Sequence, residues 1–298
     1  MEIKKVGVVG CGLMGSGITL ACAQSGYHVT CSEINEALVN KGLSGIKRTL
    51  GIDVRRRRIS QEDMNNIMSR IQGMVGLSAF SSCDLVIEAA PENMGIKKQV
   101  FQELDQICPK HAVLATNTSC LPVTEIAQTT GRPDKVLGLH FFNPVSLMKL
   151  LEIVRTPLVS DESVEKARAF GKSIGKITIL SPDEPGFVVN RLLIPFMLGA
   201  FRLYEKGAVS KEDIDDGARL GLGHPMGPLR LADLVGLDTV LYIANAIYER
   251  IKDPLYEPPE ILKKLVAEGS LGRKSGKGLY DYRHGTRDEN GGESGENG

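Results

Sequence analysis

The sequence predicts an α/β fold: a mostly parallel sheet with its helices over residues 1–182, then an all-helical domain over residues 183–283. Three observations carry this reading. Val6 to Gly17, VGVVGCGLMGSG, is an apolar run that meets Gly10, Gly12 and Gly15 in GxGxxG spacing and passes straight into a helical pattern. Short apolar runs, of the kind that form parallel strands buried on both faces, then alternate with helical periods as far as Leu180. Past Pro182 the strand pattern disappears and only helical periods remain.

The first element reads as a strand turning sharply into a helix, which opens a Rossmann-type dinucleotide site. Gly10 makes the tight turn, Gly12 lets the backbone approach a pyrophosphate, and Gly15 lets helix and strand pack closely. Leu13 and Met14 begin the helix, whose unpaired N–H groups and dipole favour the phosphates. After Gly26 a second apolar strand, Tyr27 to Ser32, ends at Glu33. A carboxylate there accepts hydrogen bonds from an adenosine ribose and repels a 2′-phosphate, which points to NAD as the cofactor.

Asn35 to Leu50 and Gln61 to Ile71 both carry helical periods, so a helical hairpin over about residues 35–71 is expected before the third strand. Between its arms lie Arg55 to Arg58, either a solvated charge run or a docking site for substrate phosphates. Asp84 to Ala89, DLVIEA, is the next buried strand, followed by Glu92 and a helix. Ala112 to Thr116 repeats the pattern and leads into Asn117, Thr118, Ser119 and a helix opened by Pro122; Lys135 to His140 repeats it again. Parallel sheets bind ligands outside the carboxyl ends of their strands, where Glu92, Asn117, Ser119 and His140 all fall. The sheet continues through Leu150 to Val154 and Lys176 to Leu180, with a helix from Asp161 to Ile174 between them.

In the helical domain the periods run over Phe187 to Tyr204, Lys211 to Leu220, Pro228 to Ile251 and Glu260 to Glu268. Leu192 to Phe201 is apolar on nearly all sides, which calls for burial by neighbouring helices or by a second subunit. A homodimer is therefore expected. GRKSGKGLYDY, Gly272 to Tyr282, reads as an ordered loop, and His284 to Gly298, which holds no apolar residue, as a disordered tail.

Composition narrows the classes. With 42% hydrophobic and 24% charged residues the 298-residue chain is of ordinary globular type, and its formal net charge of zero offers no footprint for nucleic acid or an anionic membrane. The first strand begins so early that no targeting leader is expected, and no apolar run reaches the roughly eighteen residues of a membrane span. Cys11, Cys22, Cys31, Cys83, Cys108 and Cys120 form no CxxC pair and no ligand spacing with the histidines. No metal site is expected, and the thiols suit a reducing, cytoplasmic compartment.

Taken together these motifs resemble the L-3-hydroxyacyl-CoA dehydrogenases, and most closely the 3-hydroxybutyryl-CoA dehydrogenases within them. The similarity runs from Lys5 to Tyr282 through VGVVGCGLMGSGI, DLVIEAAPEN, ATNTS, HFFNPVSLMKLLEIV, PGFVVNRLL, HPMGPLRLADLVGLD and LGRKSGKGLYDY. The resemblance implies an NAD-dependent oxidoreductase of fatty acid metabolism acting on acyl-CoA, with His140 and Glu152 catalytic. It places polar substrate contacts on Ser119 and Asn190, and cofactor contacts on Glu92, Lys97, Ser119, Asn143 and Lys274. Coenzyme A contacts fall on Thr49 and Arg56, where relatives more often carry Ser and Lys; hydroxyl and charge are kept, but Arg is a planar fork and Lys a point charge. The acid after the second strand is commonly Asp in the family and is Glu33 here.

The same residues make chemical sense by themselves. Oxidising a secondary alcohol needs a base for the hydroxyl proton while hydride leaves carbon, and imidazole suits that task near neutral pH. His140 at a strand end is the candidate, and Glu152 on the next strand can hold its other ring nitrogen. A carboxylate amid Leu150, Leu151, Ile153 and Val154 is costly to bury without a partner. Ser119 and Asn190 can donate to the substrate oxygen, and with Asn190 on the first helix of the second domain the active site is expected between domains. Two rival readings remain. Ser119, His140 and Glu152 could form a thioester hydrolase, although NTSCL lacks the GxSxG elbow; or the chain could be a non-catalytic dinucleotide-binding protein. Within the dehydrogenases, longer acyl chains or a non-CoA hydroxy acid are the alternatives.

Overall fold

A computed structural model describes residues 3–283, which divide into two compact units between Val188 and Val189. The expected tail from His284 to Gly298 lies outside the described residues. The first unit is built on an eight-stranded sheet of β1 (Lys5–Val9), β2 (His28–Glu33), β3 (Ile71–Val75), β4 (Leu85–Glu88), β5 (Val113–Thr116), β6 (Val136–Phe141), β7 (Leu150–Arg155) and β8 (Ile177–Pro182). Their spatial order is β3-β2-β1-β4-β5-β6-β7-β8, and every pair is parallel except β6 with β7. The first six strands thus follow the dinucleotide-fold order, with the reversal between β1 and β4. β4, β5 and β6 are buried along their whole length, as continuous apolar runs require.

The hairpin consists of α2 (Glu36–Arg55) and α3 (Gln61–Ser69), so its first arm runs one turn longer than expected. Asn35 caps α2 by accepting from Leu38 N–H at 2.9 Å, and Ser60 with Asp63 closes a reciprocal capping box on α3. The reading of Ile71 as helix is corrected: it begins β3, a strand that the sequence analysis passed over. β3 is a half-exposed edge strand, and its Gly73 has no side chain because a Cβ there would lie 2.5 Å from Val39 of α2. Edge position and a central glycine together erase the apolar signature.

The remaining helices of this unit are α1 (Leu13–Gln24), α4 (Met94–Ile107), α5 (Val123–Ala127) and α6 (Asp161–Ser173). A buried ion pair ties the segment after α5 to the end of α4: Arg132 Nε donates to Asp105 Oδ1 at 2.6 Å, Nη2 donates to the Asp105 and Cys108 carbonyls, and Nη1 donates to the Pro109 carbonyl. Burial pushes the Asp105 carboxyl up, but the Gly131 N–H and the Arg132 guanidinium outweigh it and hold the group below its ordinary value. Its stabilising contribution is therefore present above the unfolded carboxyl value and is lost as pH falls through the lower folded one. Arg132→Met should cost about 3–5 kcal/mol because it leaves a buried carboxylate unpaired. Urea denaturation at neutral pH checks this, and a loss under 1 kcal/mol would contradict it.

The unit boundary also moves past Pro182. Asp183 accepts from Val123 N–H at 2.9 Å and Thr124 N–H at 2.6 Å, and Phe187 packs with Val123 and Val154. These contacts hold residues 183–188 on the sheet unit rather than with the helices that follow.

The second unit holds α7 (Val189–Glu205), α8 (Lys211–Asp216), α9 (Pro228–Val235), α10 (Leu237–Ile251) and α11 (Glu260–Ala267). The expected single helix from Pro228 to Ile251 is two helices bent by 97° at Gly236, whose φ of 101° only glycine adopts readily. Asp233 explains the ordered segment near the end of the unit. It accepts from Leu279 N–H, Tyr280 N–H and the Tyr282 hydroxyl, all within 3.0 Å, although burial pushes its carboxyl above the ordinary value. Among the described residues no single helix is long and apolar enough to cross a membrane.

Candidate active site

β1, β4, β5 and β6 are adjacent and parallel, so the residues just past their carboxyl ends share one edge of the sheet. At β1 the glycine turn has the geometry its sequence implied. Gly10 sits at φ 94°, and a Cβ on Gly15 would stand 1.9 Å from the Gly10 carbonyl oxygen. Gly12 differs: a Cβ there would meet nothing within 4 Å, and as the residue capping α1 it offers no side chain to the helix N–H groups. Open space in front of uncapped amides, between Leu13 and the turn, fits an approaching pyrophosphate. Glu33 closes β2 beside it, its Oε1 accepting from Cys11 N–H at 2.8 Å. One carboxylate thus steadies the turn and stands where a ribose would lie, so the residues present fit NAD.

Past β4, a buried network orders the next two loops. Glu88 accepts from Lys97 Nζ at 2.8 Å, from Ala90 N–H at 2.7 Å and from the Thr116 hydroxyl at 2.7 Å. Lys97 also lies 3.4 Å from Glu92, whose Oε1 accepts from the Thr118 hydroxyl at 2.6 Å and Ser119 N–H at 2.9 Å. Glu92 and Ser119 are therefore brought together. The Lys97 side chain is fully buried and its ammonium faces Glu88 and Glu92, so its visible part is to hold Glu92. Sequence reasoning missed Glu88, although a carboxylate inside DLVIEA carries the same signal of an obligatory partner that marked Glu152.

At β6, Asn117 accepts from Phe141 N–H at 2.9 Å and ties the Ser119 segment to the end of that strand. His140 and Glu152 face each other across the antiparallel β6–β7 pair, with His140 Nδ1 2.6 Å from Glu152 Oε2. The second carboxylate oxygen accepts from Val188 N–H at 3.1 Å. The carboxylate fixes Nδ1 as the protonated nitrogen, which leaves Nε2 to accept a proton. Phe142 and Phe187 flank the ring at centroid distances of 4.5 and 5.6 Å and make it a largely apolar setting. Asn143 is exposed in the loop that follows. Lys176, another residue sequence reasoning missed, braces that loop by donating to the carbonyls of Val145 and Met148; burial pulls its ammonium below the ordinary value.

Other predicted residues lie elsewhere. Thr49 and Arg56 are both exposed, on α2 and at its C-terminal cap. Asn190 stands in the first turn of α7 in the second unit, where it is buried, and Lys274 in that unit donates to Asp238 at 2.7 Å.

Residues 5–184 match the 3-hydroxyacyl-CoA dehydrogenase NAD binding domain, and residues 186–282 match the 3-hydroxyacyl-CoA dehydrogenase C-terminal domain. The chain belongs to the 3-hydroxyacyl-CoA dehydrogenase family. A probable 3-hydroxybutyryl-CoA dehydrogenase of Bacillus subtilis (strain 168) is 42% identical over 286 residues, which span 96% of this chain and all of that one. The mitochondrial hydroxyacyl-coenzyme A dehydrogenase of Homo sapiens is 41% identical over 288 residues, 94% of this chain and 92% of its own. The crystal structure of (S)-3-hydroxybutyryl-CoA dehydrogenase PaaH1 from Ralstonia eutropha superimposes with a TM-score of 0.91 at 40% identity, covering 94% of this chain and 99% of that one.

As a 3-hydroxyacyl-CoA dehydrogenase the chain is an NAD-dependent oxidoreductase, and Glu33 should set the choice between nicotinamide cofactors. A carboxylate that accepts from a ribose hydroxyl repels a 2′-phosphate in the same place. We expect kcat/KM with NADH to exceed that with NADPH by more than about tenfold, worth ~1.4 kcal/mol. Equal values in parallel steady-state assays would remove Glu33 from that role.

Proposed function

We propose that this dehydrogenase works on short chains, interconverting (S)-3-hydroxybutyryl-CoA and acetoacetyl-CoA, with His140 as the acid–base group and Glu152 as its orienting partner. The observation that carries the catalytic part is the 2.6 Å contact between His140 Nδ1 and Glu152. Nε2 takes the proton from the substrate hydroxyl, and the imidazolium that forms is stabilised by the carboxylate already beside it. Held at the glycine turn beside Glu33, NAD would supply the hydride acceptor for the same carbinol carbon. Ser119 donates to the substrate oxygen and holds it toward the base. The flanking phenyl rings of Phe142 and Phe187 keep water from competing for Nε2.

The short-chain assignment is supported by relatives with that name at 40–42% identity. It is tested by NADH oxidation with 3-ketoacyl-CoA substrates of increasing length. We expect kcat/KM to be highest for acetoacetyl-CoA; a rise toward long chains would replace this reading with a long-chain one.

Coenzyme A is proposed to dock along α2, where Thr49 and Arg56 are exposed a multiple of the helical repeat apart and therefore on a common face. Arg56→Ala should raise KM for acetoacetyl-CoA several-fold at low salt, on the order of the 1.5–3 kcal/mol of a charged hydrogen bond, and leave KM for NADH unchanged. An unchanged KM for acetoacetyl-CoA would return Arg55 to Arg58 to the status of a solvated run. The chain is also proposed to form a homodimer through its helical unit, where Leu192 and Leu220 are each 71% exposed. A monomer by light scattering at micromolar concentration would contradict this.

A further inference from the structure

The sulfurs of Cys11 and Cys31 lie 2.8 Å apart inside the nucleotide-binding turn, and hydride transfer uses neither of them. Cys11 stands between Gly10 and Gly12, and Cys31 is on β2 two positions before Glu33. We propose that these two thiols are an oxidative modification site, forming a reversible disulfide with peroxide-class oxidants that switches off NAD binding.

The pair is held in place from several directions. Cys11 N–H donates to Glu33 at 2.8 Å, the Ser16 hydroxyl donates to the Cys11 carbonyl at 2.7 Å, and Gly42 of α2 packs so close that its Cβ would lie 2.5 Å from that of Cys11. Disulfide sulfurs are about 2.05 Å apart, so closure asks for a further approach of only about 0.8 Å. No other thiol shares this arrangement. Burial pushes the Cys22 and Cys83 thiols up to about 12 and Cys108 up to about 11, which keeps them neutral and unreactive. Cys31 moves the other way, because the hydrogen bond from Cys11 favours its thiolate more than burial opposes it, and the Cys11 thiol rises correspondingly. Once one proton has left, the two sulfurs share the other.

Cys31 is 0% exposed and Cys11 is 5% exposed, so peroxide reaches the pair from the Cys11 side. With the shared proton on Cys11, the Cys31 thiolate attacks one peroxide oxygen; the O–O bond breaks, leaving a sulfenic acid on Cys31 and, after protonation, one water. The Cys11 sulfur then attacks the sulfenic sulfur, the S–O bond breaks, and the departing hydroxide takes the Cys11 proton and leaves as a second water. Two thiols have lost two electrons and two protons, and the peroxide has become two waters. Closure drags the residue between Gly10 and Gly12 toward β2 and pulls its N–H from Glu33, which misplaces the turn by a substantial fraction of an ångström. Displacements of about 1 Å in a binding constellation cost up to a hundredfold.

The test uses the whole protein treated with hydrogen peroxide, alkylated, and cut with chymotrypsin, which cleaves after Tyr27 between the two cysteines. We expect fragments joined through Cys11 and Cys31, an NADH dissociation constant raised at least about tenfold, and recovery of both with dithiothreitol. Cys31→Ala should keep its NADH affinity through the same treatment, and Cys31→Ser serves if the alanine protein fails to fold. The proposal is overturned if both thiols remain alkylatable after treatment, if they are joined while NADH binding is unchanged, or if the Cys31 variant loses affinity as the parent does.

Discussion

Replacing His140 with Gln should lower turnover by about a hundred to ten thousand fold, the usual contribution of a positioned acid–base group, and leave NADH affinity near the parental value. Gln is the informative choice. Glu152 is wholly buried and currently holds His140 Nδ1 at 2.6 Å and Val188 N–H at 3.1 Å. A Gln amide still offers a donor to Glu152 but has no group that can take a proton. Ala at the same position would strip the carboxylate of a partner and mix a stability loss of about 1–3 kcal/mol or more into the result. The glycine turn is built from other residues, which is why cofactor binding should survive. Rate loss with a weakened NADH dissociation constant would instead mean that the fold of the site had failed.

The second large effect falls on Gly12. A Cβ on Gly12 would have no neighbour within 4 Å, and its φ of −69° suits any residue, so Gly12→Val should fold with stability within about 0.5 kcal/mol of the parent. The new side chain fills the space before the first turn of α1. NADH binding should fall about a hundredfold or more, because the pyrophosphate can no longer reach the amides. Gly15→Ala is the contrasting case: its Cβ would stand 1.9 Å from the Gly10 carbonyl oxygen, and the turn itself must break. Calorimetry with NADH alongside thermal unfolding separates the two. Near-parental NADH affinity in Gly12→Val would show that the cofactor does not approach here.

These residues were legible in the sequence because each carries a constraint that survives without coordinates. Gly10, Gly12 and Gly15 encode a backbone conformation, and Glu152 in an apolar strand demands a partner. What the sequence concealed has equally local causes. β3 was hidden because an edge strand with Gly73 at its centre shows neither alternation nor an apolar run. The break at Gly236 was hidden because the helical period of α9 continues into α10 across the bend. Lys97 entered the sequence reading as a cofactor contact and Lys176 only as the start of a strand; packing reveals that one is enclosed by carboxylates and the other by carbonyls. The unit boundary drifted because Pro182 ends the last strand, whereas Asp183 and Phe187, still bonded to the sheet unit, follow it.

Deuterium tracing decides whether this geometry transfers hydride from the acyl-CoA carbinol. The protein is incubated with NAD and 3-hydroxybutyryl-CoA deuterated at the carbinol carbon, and the reduced cofactor is weighed by mass spectrometry. The arrangement of His140, Glu152 and the glycine turn predicts reduced cofactor carrying one deuterium for each acetoacetyl-CoA formed, with the initial rate of its formation lowered about a hundredfold or more in His140→Gln. Undeuterated reduced cofactor, or free coenzyme A released with NAD unchanged, would contradict it.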